Sequence, residues 1–353
     1  MPYDCTKIIK KESKVRHKTM DLLLIIRGLA ALSVVVWHAE GYRGNFPSVV
    51  NIPGRTAVWL FFGISGYVIS YGFIHKRYRL NLFDLRDFYV NRFLRIYPLF
   101  LTLSALCWVT GLIFTGSNPI GLKDLPGQLF ALQFNQNYIL CGVFWTLGIE
   151  IHFYLLAPLL VTPFFNKKSL TALLFAFILY VIMVCGYRYA VIHFGWSFDG
   201  RNIISNLPHF FIGMIACRIV STFKPNVLRV IVSIMGACIL LGYTNWLYHN
   251  DPSLFWSVRG ILLVDSIILL FIFAHASCEW GRFKSHPIYN VFAFFGTLSY
   301  GIYAQHGYLL NYFPKIIDHV IVLIVFSIFM AYVSYRLIEL PALKLKRCHS
   351  PIV

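Results

Sequence analysis

Long apolar stretches recur from one end of this chain to the other, near residues 22–38, 57–75, 97–116, 142–163, 169–190, 203–220, 227–247, 257–276, 288–312 and 319–338. Each approaches the roughly 20 residues that carry an α-helix across the hydrocarbon core of a bilayer. With 58% hydrophobic residues, 13% charged residues and a mean hydropathy of +0.67, the chain is too apolar for a soluble globular protein. The fold class expected is therefore all-α: a polytopic membrane protein with about ten transmembrane helices.

Positive charge sets the expected orientation. Of the 31 Lys and Arg, 22 lie in the segments that share a side with the basic amino terminus, whereas the opposite segments hold only Arg43, Arg55, Lys123, Arg188, Arg201 and Lys315, and Arg27, Arg259 and Arg336 lie within spans. Lys and Arg stay on the cytoplasmic face, so both termini are expected in the cytoplasm. The chain then divides into a basic N-terminal segment (1–21), a transmembrane domain (22–341) and a basic tail (342–353), with no long soluble segment. The net charge of +17 reflects this topology and contact with anionic membrane lipids. No basic stripe with interleaved aromatics points to nucleic acid. The first apolar run carries Arg27 and lacks a small-residue cleavage site, so it reads as a retained span rather than a signal peptide. The eight Cys fall mostly within spans or on the inner side, with Cys141 near an outer loop, and give no disulfide framework. No zinc-spaced Cys/His cluster and no phosphate-cradling glycine loop is present, so neither a metal nor a permanently bound cofactor is expected.

Polar groups inside the spans carry the functional signal. Arg27 and His38 lie in one run, DLLLIIRGLAALSVVVWHAE. Their separation returns them to within about 20° of one helix face, roughly 16 Å apart along the axis. A guanidinium among aliphatic residues costs about 2.5–3.5 kcal/mol even on the lenient scale, which makes an intramembrane Arg a functional candidate, unless it snorkels to the headgroups. In the second run Gly63, Ser65, Gly66 and Ser70 allow a helix or thin ligand to approach the backbone. The basic, aromatic loop that follows places Arg92 and Arg95 one turn apart, a spacing that grips a phosphate or simply anchors the inner face. Glu150 falls in the outer third of the fourth span with Tyr154 a turn deeper, and needs a His, an Arg or a substrate hydroxyl as partner, or else holds helices together as an ion pair. Ser299, Tyr303 and His306, at spacings of four and three, form a polar stripe that either lines a cavity or tethers helices. Asp265 and Arg259 do not share a face and receive no role. Glu339 and Pro341 sit where Pro is expected to end the last helix, and are read as packing residues.

Arg27 with His38, FFGISGY at 61–67, RFLRIYPLF at 92–100, FWTLGIEIHFYL at 144–155, SYGIYAQH at 299–306 and YRLIELP at 335–341 resemble, in order, the acyltransferase-3 family of membrane O-acyltransferases. The resemblance runs from about residue 20 to 341. It implies transfer of an acyl group, commonly acetyl from acetyl-CoA as donor substrate, to a hydroxyl of a surface glycan such as O-antigen lipopolysaccharide, exopolysaccharide or peptidoglycan, free or lipid-linked. It also implies an integral protein of a bacterial inner membrane. One departure is Asn91, where the family often carries a second arginine before the third span; Arg92 and Arg95 are still present.

Acyl transfer needs a base for the hydroxyl proton and a donor for the tetrahedral oxyanion. His38 is the expected base, since apolar surroundings favour neutral imidazole. Glu150 is expected to orient it, as a carboxylate does in hydrolytic triads. Arg27 is expected to join His38 and Glu150 as a catalytic residue and, with Arg92, Arg95 and Ser65, to contact the CoA donor; Tyr154, Ser299, Tyr303 and His306 are the expected contacts of the substrate. Direct attack on the thioester and relay through an acyl group on His38, Ser65 or Ser299 are both open. A secondary transporter with a proton-relay cavity is the alternative, against which stands the lack of an internal repeat.

Overall fold

Every apolar run folds as a helix in the computed structural model, which describes residues 21–43, 52–75, 78–116, 120–121, 123–132, 140–165, 169–195, 200–283, 285–313 and 319–346. The long helices are α1 (Asp21–Arg43), α2 (Gly54–Ile74), α3 (Leu82–Thr115), α4 (Trp145–Phe165), α5 (Leu170–Phe194), α6 (Ile203–Val220), α7 (Val227–Asn250), α8 (Val258–Ala276), α9 (Pro287–Tyr312) and α10 (Val320–Ser334). No strand occurs among the described residues. The segment before α1 and most of the tail after residue 342 lie outside the described residues, as does the side chain of Arg43.

Among the described residues, nine helices are long and apolar enough to cross a membrane. The tenth long helix, α9, has 26 residues and the length to cross, but Ser299, Gln305, His306 and its tyrosines lower its hydropathy. It tolerates these groups because it runs through the interior: from Leu298 to Leu310 it is buried without a break. Helices α5, α7 and α10 do the reverse, turning Leu174, Phe177, Ile231, Ile239, Val325 and Phe329 outward. Such residues suit lipid, where a helix needs no polar face.

Glycines let the central helices touch backbone to backbone. A Cβ at Gly28 of α1 would lie 2.6 Å from the Gly296 nitrogen of α9, and one at Gly213 of α6 would fall on the Gly63 carbonyl of α2. Lipid tails offer no hydrophobic drive for helix association, so this close packing supplies dispersion contact instead. Helices α1, α2, α6 and α9 thereby form the inner layer.

Two expectations are corrected. The basic segment read as a loop is largely the first half of α3: Asn81 caps the helix by accepting from the Asp84 amide at 2.8 Å, and the 34-residue helix runs through Arg92, Arg95 and the internal Pro98. Its length, about 50 Å, exceeds a bilayer core, so its basic first half continues past the apolar part. Pro341 does not end the last helix either. A π-helical turn at Tyr335–Glu339 absorbs the register change, and the helix resumes at Leu340–Lys344. That extra residue per turn points Glu339 inward, where it is buried and paired with Arg95 rather than merely packed.

Gly213→Ala should cost about 1–3 kcal/mol by overpacking the α2–α6 contact. Its thermal unfolding midpoint in detergent should fall, while Gly186→Ala, whose Cβ meets nothing within 4 Å, should leave the midpoint unchanged or higher. Equal midpoints for Gly213→Ala and the wild type would contradict the packing argument.

Candidate active site

Two cavities flank Arg27. The first is lined by Arg27, Ser65, Arg92, Arg95, Glu150 and Tyr154 together with Tyr300 and aliphatic groups. The second is lined by Arg27, Phe61, Phe62, Thr146, Glu150 and Tyr303, with Val58, Ser65, Leu147, Ser299 and Tyr300 completing the wall. Arg27, Ser65, Glu150 and Tyr300 belong to both, so residues of α1, α2, α4 and α9 make a polar waist between them. The first cavity faces the Arg92–Arg95 end of the bundle. The second faces the opposite end, where Trp37 of α1 packs against Gly54 at the start of α2.

At the waist Glu150 accepts from the Ser65 hydroxyl at 2.9 Å and from the Tyr154 hydroxyl at 2.5 Å, both on Oε1. Tyr154 lies one turn along α4, as the spacing predicts. Gly63 and Gly66, on either side of Ser65, set α2 close against Ile268 of α8 and the Phe210 carbonyl of α6. The expected Glu150–His38 pair does not form: the carboxylate is held by two hydroxyls, and His38 lies toward the other end of α1. Arg27 stacks over Phe61 at 5.9 Å, and its buried Nε has no hydrogen-bond partner among the described residues. Guanidinium nitrogens are rarely buried without an acceptor, so this one is suited to a ligand oxygen.

Arg92 lies over the rings of Tyr154 (5.5 Å) and Phe88 (5.7 Å), again with its buried Nε unsatisfied among the described residues. Arg95 is not equivalent. It pairs with Glu339 at 3.5 Å and lies over the Tyr300 ring, whose hydroxyl donates to the Ile96 carbonyl at 2.7 Å. Arg92 instead meets the Tyr154 and Tyr78 hydroxyls and keeps one buried donor, Nε, without an acceptor among the described residues. Asn91 turns away, its amide donating to Tyr78 at 3.4 Å.

His38 stands 3.0 Å from the Val34 carbonyl through Nδ1. A carbonyl only accepts, so Nδ1 carries the proton and Nε2 keeps the lone pair. His306 is completely buried, with its Nε2 3.2 Å from His38 Nδ1. Tyr303 packs against both His306 and Phe61; its hydroxyl donates to the Val143 carbonyl at 3.2 Å and accepts from Thr146 at 3.0 Å. Neither His38 nor His306 lines either of these two cavities; they form the ring layer just beyond Tyr303. Ser299 lines the second cavity, and its buried Oγ has no hydrogen-bond partner among the described residues.

Other polar groups escape the sequence reading. Asp265 accepts from His209 Nδ1 and from the Tyr180 hydroxyl, each at 2.6 Å, and His209 stacks on Trp59 at 4.5 Å. This cluster ties α5, α6 and α8 together, so Asp265 has a role after all, outside both cavities. No sequence spacing links residues so far apart.

The profile of the acyltransferase domain of the acyltransferase-3 family matches residues 23–337. O-acetyltransferase OatA of Staphylococcus aureus, in strains NCTC 8325 / PS 47 and COL, is 25% identical over 358 residues, covering 90% of this chain and 56% of the relative. A protein of S. aureus strain MSSA476, named only as a candidate O-acetyltransferase, is 26% identical over 384 residues, covering 95% of this chain and 59% of its own. The chain thus spans somewhat over half the length of these relatives. No solved structure matches. None of these matches favours the transporter alternative. With the ordered motifs, the apolar helices and the polar waist, the match over most of its length shows that this chain belongs to the acyltransferase-3 family of integral membrane acyltransferases.

Proposed function

We propose that this O-acyltransferase takes acetyl from acetyl-CoA entering at the Arg92 end and transfers it to a hydroxyl of a cell-surface glycan, free or lipid-linked, at the His38 end. The protein would sit in a bacterial inner membrane with both termini in the cytoplasm. The observation that carries this reading is the waist of Arg27, Ser65, Glu150 and Tyr300, which joins a cavity bearing arginine donors to one that ends at the histidine layer. Arg92 and Arg27 hold buried donors suited to phosphate or amide oxygens of the donor substrate. The second cavity is mostly aromatic and aliphatic, which suits a slender acyl-thioester arm better than a sugar ring. Arg27 and His38 stand about 16 Å apart along α1, a distance that an extended pantetheine arm spans.

His38 Nε2 takes the proton of the acceptor hydroxyl as its oxygen attacks the thioester carbonyl. The C–O bond forms, the C–S bond breaks, and the proton passes from the imidazolium to the departing thiolate, so that CoA leaves as the thiol. Val34 fixes the tautomer, the part expected of Glu150. His306 holds the ring from the side. Glu150, bound by Ser65 and Tyr154, instead balances the charge of Arg27 at the waist.

In membranes supplied with acetyl-labelled acetyl-CoA and a glycan acceptor, His38→Ala should lower label incorporation by about 10²-fold or more, the worth of a general base. Equal labelling by wild type and variant would remove His38 from the chemistry. Arg92→Gln should raise KM for acetyl-CoA about tenfold with kcat nearly kept, as expected when a charge-assisted contact worth about 1.4 kcal/mol is lost. An unchanged KM in initial-rate measurements would reduce Arg92 to an anchor of α3.

A further inference from the structure

Two cysteines that the mechanism does not use meet at the His38 end. Cys107 lies on α3, and Cys141 precedes the short 3₁₀ turn Gly142–Phe144 that leads into α4; both are fully buried. The packing around them is what brings residues so distant in sequence together. Phe100 of α3 meets Phe144 edge-on at 5.2 Å. Cys107 follows Phe100 by two turns and so shares its helix face, just as Cys141 lies one turn back from Phe144 toward the same end. Beyond them, the Thr110 and Tyr308 hydroxyls share a hydrogen bond at 3.0 Å, and the Tyr312 hydroxyl donates to the Leu140 carbonyl at 3.2 Å, so α9 closes over the pair. Gly307 allows this approach, because a Cβ there would lie 2.8 Å from Cys141 Sγ. The two thiols are hydrogen-bonded to each other.

We propose that Cys107 and Cys141 are joined by a disulfide in the membrane-inserted protein, a covalent staple between α3 and the entrance to α4. A disulfide needs side chains that already face one another at close range, and the thiol contact meets that need. In the orientation proposed above, the His38 end faces away from the cytoplasm, the side on which disulfides form and persist. The oxidant is a disulfide-bearing protein or small molecule of that side. One thiolate attacks an oxidant sulfur to give a mixed disulfide, and the other cysteine displaces it. The two cysteines thus lose two protons and two electrons, the S–S bond forms, and the oxidant leaves as two thiols. This exchange precedes the closure of α9, which buries both sulfurs and thereafter shields the bond from reductants. The stapled segment carries the Val143 carbonyl that accepts from Tyr303, so the bond steadies the wall of the second cavity. The proposal draws on the orientation and on no step of acyl transfer.

The test is differential thiol labelling of the full chain in membranes quenched with acid. The protein is denatured without reductant and treated with N-ethylmaleimide, then reduced and treated with iodoacetamide, and each cysteine is read by peptide mass spectrometry. Cys107 and Cys141 should carry the second label in most of the protein, and an unreduced digest should contain their two peptides joined. Cys217, equally buried but on α6, and the exposed Cys185 and Cys238 should carry the first label. In Cys107→Ala, Cys141 should move to the first label. The first label on both cysteines of the wild type would overturn the proposal, as would the second label spread equally over Cys217, Cys185 and Cys238, or Cys141 still protected in Cys107→Ala. Should Cys107→Ala fail to fold, the wild-type labels and the joined peptides decide alone. Neither acyl donor nor acceptor is present, so free thiols refute the staple and leave acyl transfer standing, whereas an intact bond without label transfer does the reverse.

Discussion

A guanidinium in the middle of an apolar bundle must have polar company, and the arrangement around Arg27 supplies it. Helix α2 brings Ser65, α4 brings Glu150 and Tyr154, and α9 brings Tyr300. None of these could reach the same point if the helices packed at the distance that leucines impose. The glycine contacts of α1 with α9 and of α2 with α6 remove that layer of side chains. The same contacts place α9, the least apolar of the long helices, where its hydroxyls and imidazole face protein rather than lipid.

The waist divides the molecule into two chemically different ends. One end carries Arg92 with a buried donor and Arg95 neutralised by Glu339, the latter turned inward by the π-helical turn. The other end carries neutral rings: Tyr303, His306 and His38 in sequence, with Arg55 and Arg201 against Trp145 alongside. Helix α1 links the two ends rigidly through Arg27 and His38. In the proposed reaction such a division lets the polyanionic part of the donor and the acceptor be recognised at opposite ends, with only the acyl arm passing the waist.

Helical periodicity made much of this legible. The helices, the Glu150–Tyr154 pair and the contact of Tyr303 with His306 all follow from residues a few turns apart on one helix, and each appears in the structure. What the sequence could not show depends on contacts between helices. The partner of Glu150 is Ser65, 85 positions away, and the partner of His38 is His306, 268 positions away. The Arg95–Glu339 pair depends on a π-helical turn beside Pro341, where a proline alone reads as a helix end. The Asp265–His209–Tyr180 cluster likewise has no local signature.

The central claim is that donor and acceptor meet through the waist from opposite faces of the membrane. It is tested most directly in sealed proteoliposomes of defined orientation, with labelled acetyl-CoA confined to one side and the glycan acceptor to the other. The account predicts label in the glycan when acetyl-CoA is on the Arg92 side, and none when the two substrates are exchanged. Transfer only when both substrates share one side would contradict it.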